Sequence, residues 1–140
     1  MLTAKQVQDD IYQMLRKSTL VSMISGGVYK AGYRPRDSKT EDVTVIFTAG
    51  TPGQIERGVV TINIFVPDID PYENGTFAED GARTCELEQA AAEWVAGLTA
   101  EKSNYKFSLQ QTIYTEEEVS IKQHFVVVKL LYEYYGKASS

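Results

Sequence analysis

Val7, Ile11, Met14 and Leu15 recur at spacings of three and four, so one side of a 3.6-residue helix is apolar while Gln8, Asp9, Arg16 and Lys17 fall largely elsewhere. Thr3 followed by Gln6 is a capping-box pattern, which starts the helix by satisfying free amides of its first turn. Ser18 caps a short second turn carrying Leu20, Val21 and Ile24, and Gly26-Gly27 stops it because glycine accepts left-handed backbone at low cost. Val28 to Tyr33 then reads as a short strand. The period changes to two at Val43 to Thr48, with Val43, Val45 and Phe47 on one face and Thr44, Ile46 and Thr48 on the other. Gly50 to Gly53 turns the chain, and Val59 to Val66 follows with Val60, Ile62, Ile64 and Val66 facing one way. These two runs predict an antiparallel hairpin.

The polar intervals divide the rest. Pro35 to Asp42 has seven polar or charged residues after its proline, which marks a mobile excursion rather than core. Pro67 to Gly81 is rich in Asp, Pro, Glu, Asn and Gly, and a connection of that length is more often functional than a bare link. A second helix is predicted over Ala82 to Leu98, with Leu87, Ala91, Trp94 and Leu98 on a stripe and Ala90 and Val95 beside it. Tyr105 to Tyr114 and Ile121 to Tyr135 supply two further strands, joined through Glu116, Glu117 and Glu118. The last is long and apolar on both faces: Val126, Val128, Leu130, Tyr132 and Tyr134 on one, Phe125, Val127 and Leu131 on the other. Such a strand is central in its sheet or covered by another surface. The predicted architecture is α+β, a mostly antiparallel sheet of about five strands packed against two helices. It forms a single domain over 1–140 with a frayed, flexible tail at about 136–140, and there are no internal repeats.

Composition narrows the function classes. A chain of 140 residues with 43% hydrophobic residues has enough apolar surface for one core. A net charge of -5 and a pI near 4.9 disfavour a broad grip on nucleic acid, which needs clustered Lys and Arg. One cysteine, Cys85, cannot make an intramolecular disulfide, which suits a reducing cytoplasm. No signal peptide is expected, because Met1 to Gln6 lacks a basic segment followed by an apolar run. No apolar stretch is long enough to cross a bilayer.

Candidate chemistry is sparse. His124 has no identifiable orienting carboxylate in the sequence, so a solvated or edge-strand position is expected. Cys85 lies one turn into the second helix, without a second histidine or a Cys-x-x-Cys pattern, and reads as a half-buried structural thiol. Asp68 to Glu79 matches a calcium-binding EF-hand loop at its first, third and twelfth positions. However, it has Tyr72 where a ligand is expected and Glu73 in place of the turn glycine, so it reads as a solvated acidic loop. Glu41-Asp42, Glu79-Asp80 and Glu116 to Glu118 read as exposed turns. Neither Gly26-Gly27 nor Gly50 to Gly53 carries the lysine and hydroxyl of a phosphate-binding loop. Arg34, Arg36, Asp37 and Lys39 form the one local basic patch, suited to bidentate contacts with a neighbour's carboxylates. No catalytic residue, metal ligand or cofactor is expected. Tyr105, Tyr114, Tyr132 and Tyr134 allow a different reading, an aromatic pocket in a small cytoplasmic ligand-binding domain.

The order helix, short apolar turn, hairpin, helix and two strands over Val7 to Tyr135, with Ser25 to Tyr29 as its compact motif, resembles the tail-terminator (tail-completion) proteins of bacteriophages and prophages. The resemblance implies a non-enzymatic virion assembly protein: a homo-oligomeric ring, usually hexameric, on the head-proximal end of the tail tube, which it joins to the head connector. It implies the host bacterial cytoplasm during assembly and then the virion, with tail tube and head connector proteins as partners and neither membrane nor specific nucleic-acid binding. Another head-tail joining (neck) protein is the near alternative. The candidate contacts to ring neighbours or tube are Arg34, Arg36, Asp37, Lys39, Gln54, Arg57, Asp68, Asp70 and Glu73. A closed ring needs two different, complementary patches on each subunit.

Overall fold

The computed structural model describes residues 1–101 and 103–135, so the tail expected at 136–140 lies outside it. Helix α1 (Ala4–Arg16) begins at the expected capping box: Thr3 accepts from the Gln6 amide while the Gln6 side chain accepts from the Thr3 amide. Helix α2 (Thr19–Ser22) is capped by Ser18. Strand β1 (Val28–Lys30) follows, then β2 (Val43–Thr51), β3 (Glu56–Pro67), helix α3 (Gly81–Ala100), β4 (Tyr105–Leu109), β5 (Tyr114–Glu118) and β6 (Gln123–Tyr134).

The sheet runs β1-β2-β3-β6-β4, with β5 also on β6. Only the β1–β2 pair is parallel. One face carries Val43, Val45, Val60, Ile62, Ile64, Val126, Val128 and Leu130, and these pack with Val7, Ile11 and Leu15 of α1 and Leu87, Ala91, Val95 and Leu98 of α3. Complete burial of each Leu, Ile or Val side chain contributes roughly 1.5–3 kcal/mol, so this layer dominates stability. On the opposite face Ile46, Thr61, Phe65, Phe125, Lys129 and Leu131 are half-buried.

The architecture is α+β, with six strands and three helices among the described residues. The extra strand arises because β6 is twelve residues long, which leaves room on one side for two five-residue strands. β4 pairs with Leu130 to Tyr134, and β5 with Gln123 to Val127. Glu116 to Glu118 therefore lie in a strand and not in a turn; the reversal falls instead on a 3-10 turn over Val119–Ile121, with Lys122 left-handed at φ 53°. Strands β2 and β3 also run further than their alternating cores suggest. The register shifts between Phe47 and Ala49, which absorbs an extra residue and carries the pairing on to Thr51 and Arg57. At Gly58 a side chain would overlap the Ala49 carbonyl and the Tyr132 ring, so only glycine lets the hairpin close there.

Candidate functional site

The segment Arg34 to Asp42 is organised around a buried carboxylate. Asp42 is 0% exposed, and Arg34, 10% exposed, donates from Nε to Asp42 Oδ2 at 2.8 Å. The same guanidinium donates from Nη2 to the Thr40 carbonyl (3.2 Å) and to Gln123 Oε1 (3.0 Å), and its carbon lies 4.0 Å from the centroid of the Phe65 ring. Asp42 also accepts from the Gly27 amide at 3.0 Å, the Thr40 hydroxyl at 2.9 Å and the Ser38 hydroxyl. Burial pushes its carboxyl up, but the Ser38, Gly27, Arg34 and Thr40 donors together hold it below the usual carboxylate range. This excursion, expected outside the core, is instead tied into it, because Asp42 immediately precedes β2 and its carbonyl accepts from the Phe65 amide at 2.8 Å. Arg34 is thus committed to its own chain. Arg36, Asp37 and Lys39 are exposed.

Two contacts between His124 and carboxylates hold the acidic loop between β3 and α3. His124, expected in solvent or on an edge strand, stands on an inner strand with Nδ1 2.7 Å from Asp68 Oδ1 and Nε2 3.7 Å from Glu79 Oε1. The Asp68 side chain is 7% exposed. Ile69 and Ala78 bridge through two backbone hydrogen bonds of 2.9 Å, and Asp70 accepts from the Asn74 and Gly75 amides at 3.1 and 2.8 Å. The carboxylates that match the EF-hand pattern therefore serve the loop's own closure. Thr84 donates its hydroxyl to Glu79 and not to the imidazole, so the cluster acts as a clasp on both ends of the loop. Among the described residues, no group of three or more His, Cys, Asp or Glu side chains is placed to hold a metal ion.

Of the remaining sequence-derived positions, Gln54 and Glu73 are exposed, and Arg57 reaches Glu133 at 3.9 Å. The structure thus distributes the nine candidate contacts. Arg34, Asp68 and Asp70 are held by internal hydrogen bonds, Arg57 is exposed beside Glu133, and Arg36, Asp37, Lys39, Gln54 and Glu73 face outward. Cys85 is exposed, not half-buried. Tyr105, Tyr132 and Tyr134 do gather, with centroids 4.9–6.0 Å from Tyr105, but as core packing, and Tyr105 donates to Asp10 at 2.6 Å. Burial, with Asp10 beside it, raises the Tyr105 hydroxyl far above its usual range. Tyr114 bonds Glu116 away from them.

A groove of about 680 Å³ opens between α1–α2 and α3, lined by Met14, Leu20, Met23, Trp94, Leu98 and Phe107. Its sequence signal is Ala90 and Gly97, small residues about one turn either side of Trp94, which leave hollows beside the indole. Trp94 packs against the core but stays partly exposed.

No family model matches the chain, and no curated protein matches it. One similar solved structure, whose name describes no activity, aligns over 92% of this chain and 94% of that one, at 17% identity and a TM-score of 0.45. Among the described residues, no helix is long and apolar enough to cross a membrane.

Proposed function

We propose that this chain is a non-enzymatic phage or prophage assembly protein that caps the head-proximal end of the tail tube as an oligomeric ring and joins it to the head connector. The observation that carries the reading is the way its one compact motif is built in. The Gly26 amide donates to the Glu41 carbonyl at 2.8 Å and the Gly27 amide to Asp42, so Ser25 to Tyr29 locks the first helical pair to β2 through Asp42. At Gly26 a side chain would collide with Asp42, Glu41 and Thr40, which accounts for the glycine. A helix pair, a hairpin and a helix follow the order the resemblance implies, and three strands close the chain where it implies two. The exposed residues Arg36, Asp37, Lys39, Gln54, Arg57 and Glu73 are the proposed contacts with tube, connector or neighbouring copies.

The test adds purified chain to purified, uncapped tail tubes and images their ends. Density at one end and an arrest of tube growth are expected; bare ends with continued growth would remove the proposal. A neck protein would instead bind the connector and leave tube growth unchanged. The groove beside Trp94 favours a second reading, a small ligand-binding domain. In that case apolar ligands should shift Trp94 fluorescence saturably with the chain remaining a monomer.

A further inference from the structure

The acidic loop carries the dipeptide Asn74-Gly75, and the fold gathers polar groups of the same loop around it. Glu73 is left-handed at φ 54° and Gly75 at φ 82°, and the Glu73 amide donates to the Asp70 carbonyl at 3.2 Å. That tight turn folds the next amides back onto the Asp70 side chain: Asn74 donates to Oδ1 at 3.1 Å and Gly75 to Oδ2 at 2.8 Å. From the other side, the Thr76 amide donates to Asn74 Oδ1 at 3.0 Å. Asn74, Gly75 and Thr76 are exposed. Among the described residues other than its chain neighbours, no heavy atom lies within 4 Å of where a Cβ at Gly75 would stand.

Each of these contacts has a part in one reaction, the closure of an asparagine side chain on the backbone nitrogen that follows it. The Gly75 nitrogen is the nucleophile, and an amide nitrogen attacks only as its proton leaves. Asp70 Oδ2 stands at hydrogen-bond distance from that proton, the placement a general base requires. Asn74 Cγ is the electrophile. Under attack its oxygen gains negative charge, and the Thr76 N–H already points at that oxygen, as an oxyanion donor must. Glycine leaves the nitrogen unshielded, having no side chain. The bond formed is Gly75 N to Asn74 Cγ, and the bond broken is Cγ to Nδ2, which leaves as ammonia with the proton that Asp70 took from the nitrogen. Water then opens the cyclic imide at either carbonyl. One opening gives aspartate at position 74, and the other gives isoaspartate, whose backbone runs through Cγ.

We propose that Asn74 is a self-modifying site, cyclised by Gly75 and hydrolysed by water, with Asp70 as the base and the Thr76 amide as the oxyanion donor. The other asparagines are built differently. Asn63 lies inside β3 and precedes Ile64, and Asn104 precedes Tyr105, whose amide donates to Ser103 Oγ at 3.1 Å and not to a carboxylate. The product changes the loop in charge or in length. Aspartate adds a negative charge beside Asp70, and isoaspartate adds a backbone carbon inside the span closed by the Ile69–Ala78 bridge. This chemistry is independent of the ring reading.

The experiment incubates the full chain at neutral pH, natively and in urea, and follows Asn74, Asn63 and Asn104 by peptide mass mapping that separates aspartate from isoaspartate. Native conversion is expected at Asn74, at least tenfold faster than in the unfolded chain and with Asn63 and Asn104 unchanged over the same interval; Asp70→Asn should remove that advantage. The variant keeps a carbonyl acceptor for the turn amides. Its new carboxamide precedes Pro71, which has no N–H to attack, so it adds no site of its own. Native conversion at or below the urea rate would overturn the proposal. So would an Asp70→Asn chain that converts as fast as the wild type, since the carboxylate would then only tie the turn. Trp94 fluorescence reports whether the variant is folded; if it is not, the native-against-urea comparison of the wild type decides.

Discussion

Asp42 shows what a single residue settles in this molecule. It is fully buried, faces one guanidinium and accepts from an amide and two hydroxyls, so removing its charge leaves Arg34 facing no anion. Breaking a buried pair from one side costs about 3–5 kcal/mol, and Asp42→Asn should lose that much in urea unfolding at neutral pH. Asp42 and Glu41 both bind protons less readily folded than unfolded; for Glu41 the cause is the hydrogen bonds from Arg83, at 2.7 and 2.9 Å, opposed by burial. Their stabilisation is complete above the ordinary carboxylate values of 3.8 and 4.5 and disappears as the pH falls through the lower folded values. Stability measured from pH 6 down to pH 2 should therefore fall, less steeply in Asp42→Asn. Gly26→Ala should be as damaging as Asp42→Asn, since the new methyl meets the same carboxylate and a backbone carbonyl. Cys85 is the opposite case. Its thiol is exposed, so a thiol reagent should label the native chain without denaturant, and Cys85→Ser should change stability by no more than about 0.5 kcal/mol.

Among the elements, α3 combines two roles along one helix. Leu87, Ala91, Val95 and Leu98 face the core, while Ala90, Trp94 and Gly97 border the groove. Leu87 is wholly buried and Trp94 is not. Leu87→Ala should cost about 2–5 kcal/mol by cavity formation, and Trp94→Ala less than the 3–5 kcal/mol of a fully buried aromatic, as calorimetry would show. Periodicity made the helices, the hairpin and the core side of β3 legible, because a buried stripe leaves its spacing in the residues. It did not reveal β5, whose Thr and Glu residues are those of a polar turn; they form a strand because the end of β6 needs a partner. Nor did it reveal the clasp on His124, since Asp68 is 56 positions away and only the fold brings the two within 2.7 Å. The Arg34 patch was visible as charge, but its partner was not. Asp42, eight residues on, looks in the sequence like one more solvated acid.

For the molecule as a whole, β6 is the strand on which the rest depends: it pairs with β3 on one side and with β4 and β5 on the other. Its register with β3 runs from Glu56↔Tyr134 to Pro67↔Gln123, joining positions 56 to 78 residues apart. Closing such distant pairs costs loop entropy before any contact repays it, and sheets of this kind fold slowly. During synthesis β3 lacks its β6 partner until residues 123–134 emerge, so a β2–β3 hairpin formed before then has an open strand edge along Val60, Ile62 and Ile64. An open apolar edge of that kind invites pairing with other chains, so aggregation of the nascent chain is expected to be worst in that interval.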